Sequence, residues 1–211
     1  VVGRLTEAGG DMRALVKRGV TTVGRLQARL APLGGGASWM DRLYAAPLSG
    51  GIRYNGPSGV LFSLSGLSGQ QVAGGVVVAA DFSGRLGTPQ LNGIVRGDNL
   101  TYINSNYGTK LTQMKLAGRF TNDRFDISQL NAKAGDGTVE ASGWVGLSAD
   151  QNFPMSLTAK LSKATLASGD SLGATATGTL TVTNGKDGGL VKGDLTIPNA
   201  RYQVVYQGQA E

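Results

Sequence analysis

The sequence predicts an all-β fold: an elongated, curled antiparallel sheet that forms an open apolar groove, with one or two short helices near its N-terminal end. Three observations predict it. Apolar residues recur at every second position through most of the chain, the period of strands with one apolar and one wet face. Glycine contributes 34 of the 211 residues, more than twice the usual ~7% share, without the period of a collagen. Aromatic residues make up only 6%, so the alternating positions are filled by Ala, Gly, Val and Leu, thinner than a packed sandwich normally uses. Roughly a dozen strands are too many for an open twisted sheet to stay flat, hence the curl. Pattern alone leaves a second reading open, in which the same apolar residues pack on one another as an ordinary core.

Residues 1–7 look like the end of a strand. Asp11 stands at an N-cap position before Met12, Leu15 and Val16, a spacing that predicts one or two helical turns over 11–18. Val20, Thr22, Gly24, Leu26, Ala28 and Leu30 alternate as a strand, ended by Pro32 and the glycines at 34–36. Ser38 with Asp41 is a capping pair that opens a helix over 38–44, carrying Trp39, Met40, Leu43 and Tyr44. Pro47 closes it.

From Leu48 onward the pattern predicts strands and turns only. Leu48, Gly50, Ile52 and Tyr54 alternate up to a turn at Asn55-Gly56-Pro57, and Val60, Phe62 and Leu64 read as the next strand. Val76, Val78, Ala80, Phe82 and Leu86 follow, interrupted at Thr88-Pro89. The central stretch, 82–147, is the most regular. Met114, Leu116, Gly118 and Phe120 share one parity; Val139, Ala141, Gly143, Val145 and Leu147 share another. GDNLT at 97–101, FTNDRF at 120–125 and AGDGT at 134–138 read as the turns between these strands. Beyond them come Met155, Leu157, Ala159 and Leu161, then Ala174, Ala176, Gly178, Leu180 and Val182 set against a ladder of threonines. A turn at 184–189, the pair Leu195 and Ile197, and the run Tyr202, Val204, Tyr206 complete the chain.

A loose repeat of the form apolar-x-Gly-x-apolar runs through these strands: LSGGI at 48–52, FSGRL at 82–86, LNGIV at 91–95, LAGRF at 116–120, ATGTL at 176–180 and VKGDL at 191–195. Its irregular spacing excludes a propeller or leucine-rich array and fits a sheet that grows by adding hairpins. The residues expected to line the groove are Phe82, Leu86, Met114, Leu116, Phe120, Val139, Ala141, Val145, Leu147, Met155, Leu157, Leu161, Leu180, Val182, Leu195 and Ile197. The chain reads as one elongated segment: a strand and short helices over 1–47, then a continuous meander over 48–211. Its start at Val1 and its end in mid-pattern suggest a piece of a longer protein.

The formal charge of +6 is concentrated at one end. Residues 1–56 carry eight Lys/Arg against three Asp/Glu, while the rest is nearly balanced. Such a surface serves solubility, or attraction to an anionic membrane face or acidic partner. Dispersed basic residues without interleaved aromatic groups speak against nucleic acid. With no Cys and no His, disulfides, thiolate nucleophiles and His-based triads are excluded. Asp123, Asp126 and Asp136 lie in or beside turns, where Asp serves the backbone. The glycines at 34–36 lack the Lys-Ser/Thr of a phosphate loop, and no calcium-loop spacing occurs. The expectation is a non-enzyme without metal or cofactor. The longest apolar run, 72–80, is too short for a membrane-spanning helix.

The segments PLSGGIRYNGP, SGRLGTPQLNGIVRGDNLTY, YGTKLTQMKLAGRF and AGDGTVEASGWVGL, with AGGDMRALVKRG and VGRLQARLAPLGG upstream, resemble the TamB family, the inner-membrane component of the translocation and assembly module. AsmA-like and bridge-like lipid transfer proteins are similar in architecture. The resemblance implies a β-taco segment in the periplasm of a protein anchored in the inner membrane. It also implies anterograde phospholipid transport, with acyl chains in the groove, and outer-membrane protein assembly or secretion. The partners so implied are a TamA-type outer-membrane barrel and unfolded outer-membrane protein strands. An adhesin or autotransporter passenger is the alternative class, disfavoured by the irregular repeat spacing.

Overall fold

A computed structural model of the chain describes residues 1–32, 34–35, 38–63, 68–148, 151–168 and 172–202. In chain order the elements are β1 (Val2–Thr6), β2 (Gly9–Arg18), β3 (Thr21–Leu30), α1 (Trp39–Ala45), β4 (Leu48–Pro57), α2 (Ser58–Phe62), β5 (Gln70–Arg85), β6 (Thr88–Asn104), β7 (Thr109–Asn122), β8 (Arg124–Ala134), β9 (Gly137–Gly146), β10 (Met155–Ser168), β11 (Leu172–Gly185) and β12 (Gly188–Tyr202). The twelve strands form one sheet in sequence order, each paired antiparallel with the next, and the sheet does not close. At ~4.8 Å between strands, the eleven spacings extend it over ~50 Å.

Among the described residues no second layer covers the sheet. The accessible surface is 13703 Å², against about 9200 Å² for a compact monomer of this mass. The curl replaces the missing layer in part. Three buried clusters form where side chains of one face meet: around Tyr54, Val76, Val78 and Val95; around Leu100, Met114 and Ala132; and around Ala134, Leu161, Ala164 and Ala176.

Because every hairpin reverses direction, connections alternate between the two rims of the sheet. One rim carries α1, whose C-terminal end is tied to the β5–β6 turn: the amides of Leu86 and Gly87 donate to the carbonyls of Ala46 and Tyr44 at 3.1 and 2.9 Å. The other rim carries α2, which turns Leu61 onto the Tyr54 cluster. That second rim is also pinched. The β8–β9 hairpin is shorter than its flanking strands, and beyond its tip β7 and β10 meet. Thr109 Oγ1 donates to the Leu166 carbonyl, and the Ser168 amide donates to the Tyr107 carbonyl at 3.2 Å.

Several local expectations fail. The helix expected over 11–18 is the strand β2. Its Gly10, Met12, Ala14 and Val16 face the same way as Leu30, Ala28, Leu26 and Gly24 of β3, and Asp11 accepts from Arg29 Nε at 3.1 Å instead of capping a helix. The strand expected at Val60 and Phe62 is the helix α2, while Leu64 lies outside the described residues. The turn expected at Asn55-Gly56-Pro57 is the end of β4, paired with β5 through Pro57↔Gly75. GDNLT is no turn either: β6 runs through it with a bulge between Gly97 and Leu100, where Asn99 adopts φ 50°. The turns at FTNDRF and AGDGT form as expected, and Ser38 caps α1 by accepting from the Asp41 amide at 3.1 Å. Val204 and Tyr206 lie outside the described residues.

Candidate functional site

One face of the sheet is apolar from end to end. Following the pairing register across it, Val16, Gly24, Tyr54, Val78, Val95, Gly118, Ile127, Gly143, Leu157, Val182 and Val191 are successive partners from β2 to β12. A second row, Gly56, Val76, Gly97, Leu116, Leu130, Ala141, Ala159, Leu180 and Gly193, runs beside it from β4 to β12. Neither row contains a charge. The opposite face holds Arg53 against Asp81, joined at 2.7 Å, together with Lys160, Glu140 and the Thr179–Thr181 ladder. An uncharged stripe crossing every strand from β4 to β12 cannot arise from one hairpin at a time; it belongs to the assembled sheet.

The loose repeat explains how this floor is built. In five of its six copies the first, third and fifth residues fall on the apolar face, and in FSGRL the first and third do before Leu86 enters the β5–β6 turn, so each glycine sits on the floor beside apolar side chains. At Gly118 an added Cβ would run into the Phe125 ring, which occupies that space itself. Phe125 in turn packs on Phe120, the rings tilted by 45° with centroids 4.8 Å apart. Gly178 adopts φ +142°, which strains an L side chain, and an added Cβ there would meet the β12 backbone at Asp194. Glycine thus lets large neighbours lie down along the sheet and lets adjacent strands approach closely.

Of the residues expected to line the groove, Phe82, Leu116, Phe120, Val139, Ala141, Val145, Met155, Leu157, Leu161, Leu180, Val182 and Leu195 share this face, and Met114 is buried opposite Leu100. Leu86 lies in the β5–β6 turn. Leu147 follows β9 on the rim, its amide donating to the Asp123 carbonyl at 2.8 Å. Ile197 falls in a β12 irregularity between the pairs Thr177↔Thr196 and Thr175↔Asn199, half exposed. The expected set omitted the first third of the face, from Leu5 and Met12 to Ile52 and Tyr54. The signal for it was present as the alternation of β3 and β4; the helical reading of β2 broke the continuity.

Coverage of the face varies along its length. Tyr54 is 3% exposed; its hydroxyl donates to the Pro57 carbonyl at 2.7 Å, and burial pushes its pKa above the ordinary 10.0. Toward the ends the face opens: Met12 is 41% and Val191 66% exposed. Between β1 and the β5–β6 turn lies an apolar cavity of about 350 Å³, lined by Leu5, Met12, Ala28, Leu30, Leu48 and Leu86. Among the described residues no three metal-ligating side chains converge, and no helix is long and apolar enough to cross a membrane. Asp126 pairs with Arg124 at 2.9 Å on the polar face.

Residues 128–211 match the family model of the TamB C-terminal domain. The match takes in most of β8 and β9 to β12, where both rows continue. No curated protein and no solved structure matches the chain.

Proposed function

We infer, from the match of residues 128–211 to the TamB C-terminal domain, that the chain is a TamB-like envelope segment in outer-membrane assembly whose apolar face carries phospholipid acyl chains. The observation behind this reading is the uncharged row from Val16 to Val191. Acyl chains need a continuous path without charge, because an unpaired charge met in an apolar environment costs several kcal/mol. Headgroups would remain in water along the rims. The chain acts as a conduit without catalysis, in the periplasm, tethered to the inner membrane by parts of the protein outside this segment.

The test is direct. Lipid extracted from the purified chain is identified by mass spectrometry, and binding of a fluorescent fatty acid is measured for Leu180→Asp and Thr179→Arg. Leu180→Asp places a charge on the floor and should abolish binding; Thr179→Arg points to water and should not. If both variants fold and both bind, the conduit reading is wrong. If Leu180→Asp unfolds the chain, Leu180 is core and the reading fails at that position.

A second reading has its own observation. Among the described residues the fifteen-residue β12 has one unpaired edge, with Leu190 and Val191 50% and 66% exposed. Such an edge can pair with an extended strand of a TamA-type barrel or of an unfolded outer-membrane protein. Crosslinking from position 191 to a barrel strand tests it.

A further inference from the structure

We propose that the seam where β7 meets β10 is a latch: the β6–β7 and β10–β11 hairpins part there and admit an acyl chain to the alanine-lined apolar cluster beneath. The proposal rests on the conduit reading above and names a place where a chain enters the face.

The short β8–β9 hairpin leaves two strand edges without a partner. β7 makes its last pair with β8 at Thr112↔Lys133, and β10 its last with β9 at Ser162↔Thr138. Residues 109–111 and 163–168 run on beyond those pairs, and their free edges meet each other. Thr109 faces Leu166 and Tyr107 faces Ser168, steps of two in opposite directions, the spacing of an antiparallel pair. Yet no ladder forms. Among the described residues the seam holds one backbone bond, from the Ser168 amide to Tyr107, and one from the Thr109 side chain. β9 and β10 by contrast share eight register pairs. A contact with so few bonds opens at lower free energy than the ladders around it.

Both hairpins carry the hinges that such an opening needs. Between the seam and the body of the sheet, register breaks in all four of their strands. The breaks fall between Gly97 and Leu100 in β6, Thr112 and Lys115 in β7, Leu161 and Ala164 in β10, and Thr175 and Thr177 in β11. Asn99, Gln113 and Lys163, on β6, β7 and β10, adopt φ of 50°, 50° and 48°. Gln and Lys hold that left-handed conformation only at a cost. Bulges re-aim the chain beyond them, and here they aim the two hairpins at each other. With a break in each of its strands, a hairpin bends as a unit.

What lies under the latch suits an apolar chain. Ala134, Ala164 and Ala176 are 0% exposed, and Leu111 of β7 and Leu166 of β10 pack against them, one from each side of the seam. When the hairpins part, these leucines leave with their strands, and the small alanines keep the vacated space open. No charge belongs to this cluster, so a thin, flexible hydrocarbon fills the space and a polar ligand does not. Leu180, packed on the same cluster, belongs to the second floor row, so the space continues into the groove.

The chain contains no cysteine, so Tyr107→Cys with Ser168→Cys allows a single disulfide. Both positions are exposed, and antiparallel pairing sets their Cα atoms ~5.5 Å apart, within disulfide reach. The whole chain is compared oxidised and reduced, the reduced form serving as the control for folding. In the reduced form, amides of residues 164–168 should exchange at least tenfold faster than those of residues 156–161. Closing the disulfide should slow the first set at least tenfold and leave the second unchanged. The ligand probe is palmitic acid carrying a diazirine. On illumination it should label residues 132–139 and 161–166 of the reduced chain. The disulfide should remove at least nine-tenths of that label while labelling near Val191 persists. Equal exchange in the two forms overturns the latch, as does equal labelling of the Ala134 cluster. So does failure of the two cysteines to oxidise, which would mean that the seam is not formed in solution. Absence of label anywhere on the chain sinks the conduit reading instead, and the exchange rates then decide separately whether the seam opens.

Discussion

The ring of Tyr54 lies across Gly24 on the neighbouring strand, where any Cβ at residue 24 would stand 2.6 Å from the ring's Cδ2. The two are register partners on the apolar face, so the missing side chain at Gly24, together with Leu61 of α2, lets the ring be 3% exposed. In a single-layer sheet, burial has to come from side chains that lie down, and glycine partners make the room. Gly24→Val should therefore lift the ring and destabilise the chain by about 1–3 kcal/mol. Urea denaturation measures it, and an unchanged midpoint would show that the ring moves at no cost.

The same tyrosine should mark the alkaline limit of stability. Its folded pKa lies above 10.0 because burial disfavours the phenolate, whereas in the unfolded chain it titrates near ~10. As pH rises past ~10 the unfolded chain releases this proton first, so stability is intact below that pH and declines above it, until the folded value is reached. Tyr54→Phe should lower stability at neutral pH by about 0.5–1.5 kcal/mol through loss of the bond to Pro57. It should also flatten the alkaline decline. Denaturation midpoints of both proteins, followed from neutral pH to above pH 10, decide the point.

Ser38→Ala should loosen α1 without weakening the sheet. The Ser38 hydroxyl accepts from the Asp41 amide and donates to the Asp41 carboxylate at 2.7 Å, and a seven-residue helix with no buried side chain has little else to hold its first turn. A cap of this kind is worth about 0.5–2 kcal/mol. Faster amide exchange at residues 41–43, with the global unfolding midpoint unmoved, is the expected result; a global loss would mean that α1 is integral to the sheet.

Thr109→Val should open the pinched rim. The substitution keeps the shape and removes the hydroxyl that bonds the Leu166 carbonyl. The expected loss is about 0.5–1.5 kcal/mol, with hydrogen exchange quickening at Ser168, whose amide bonds Tyr107 beside it. Unchanged exchange at Ser168 would show that β10 stays on β7 through apolar packing around Leu111 and Leu166 alone.

Much of this protein is legible from residue order. Alternation placed most of the expected residues from Phe82 to Leu195 on one face, because in a strand the side-chain direction follows from position along the chain. The apolar-x-Gly-x-apolar segments marked strands of one growing sheet, and Ser38 with Asp41 marked the start of a helix; both are local signals with local causes. Residues 9–18 were not legible, since Met12, Leu15 and Val16 suit a helix while Gly10, Met12, Ala14 and Val16 suit a strand. The backbone partners on β1 and β3 decide between them, because a strand is held by pairing and packing that its own residue pattern does not contain. Residues 58–62 show the converse, an alternating run that closes into a helical turn over the Tyr54 cluster. The bulge at Asn99 and the meeting of Thr109 with Leu166 depend on how long each hairpin is relative to strands two and three places away. Only the assembled sheet sets those lengths against one another, because register is a property of pairs of strands and curl a property of all twelve.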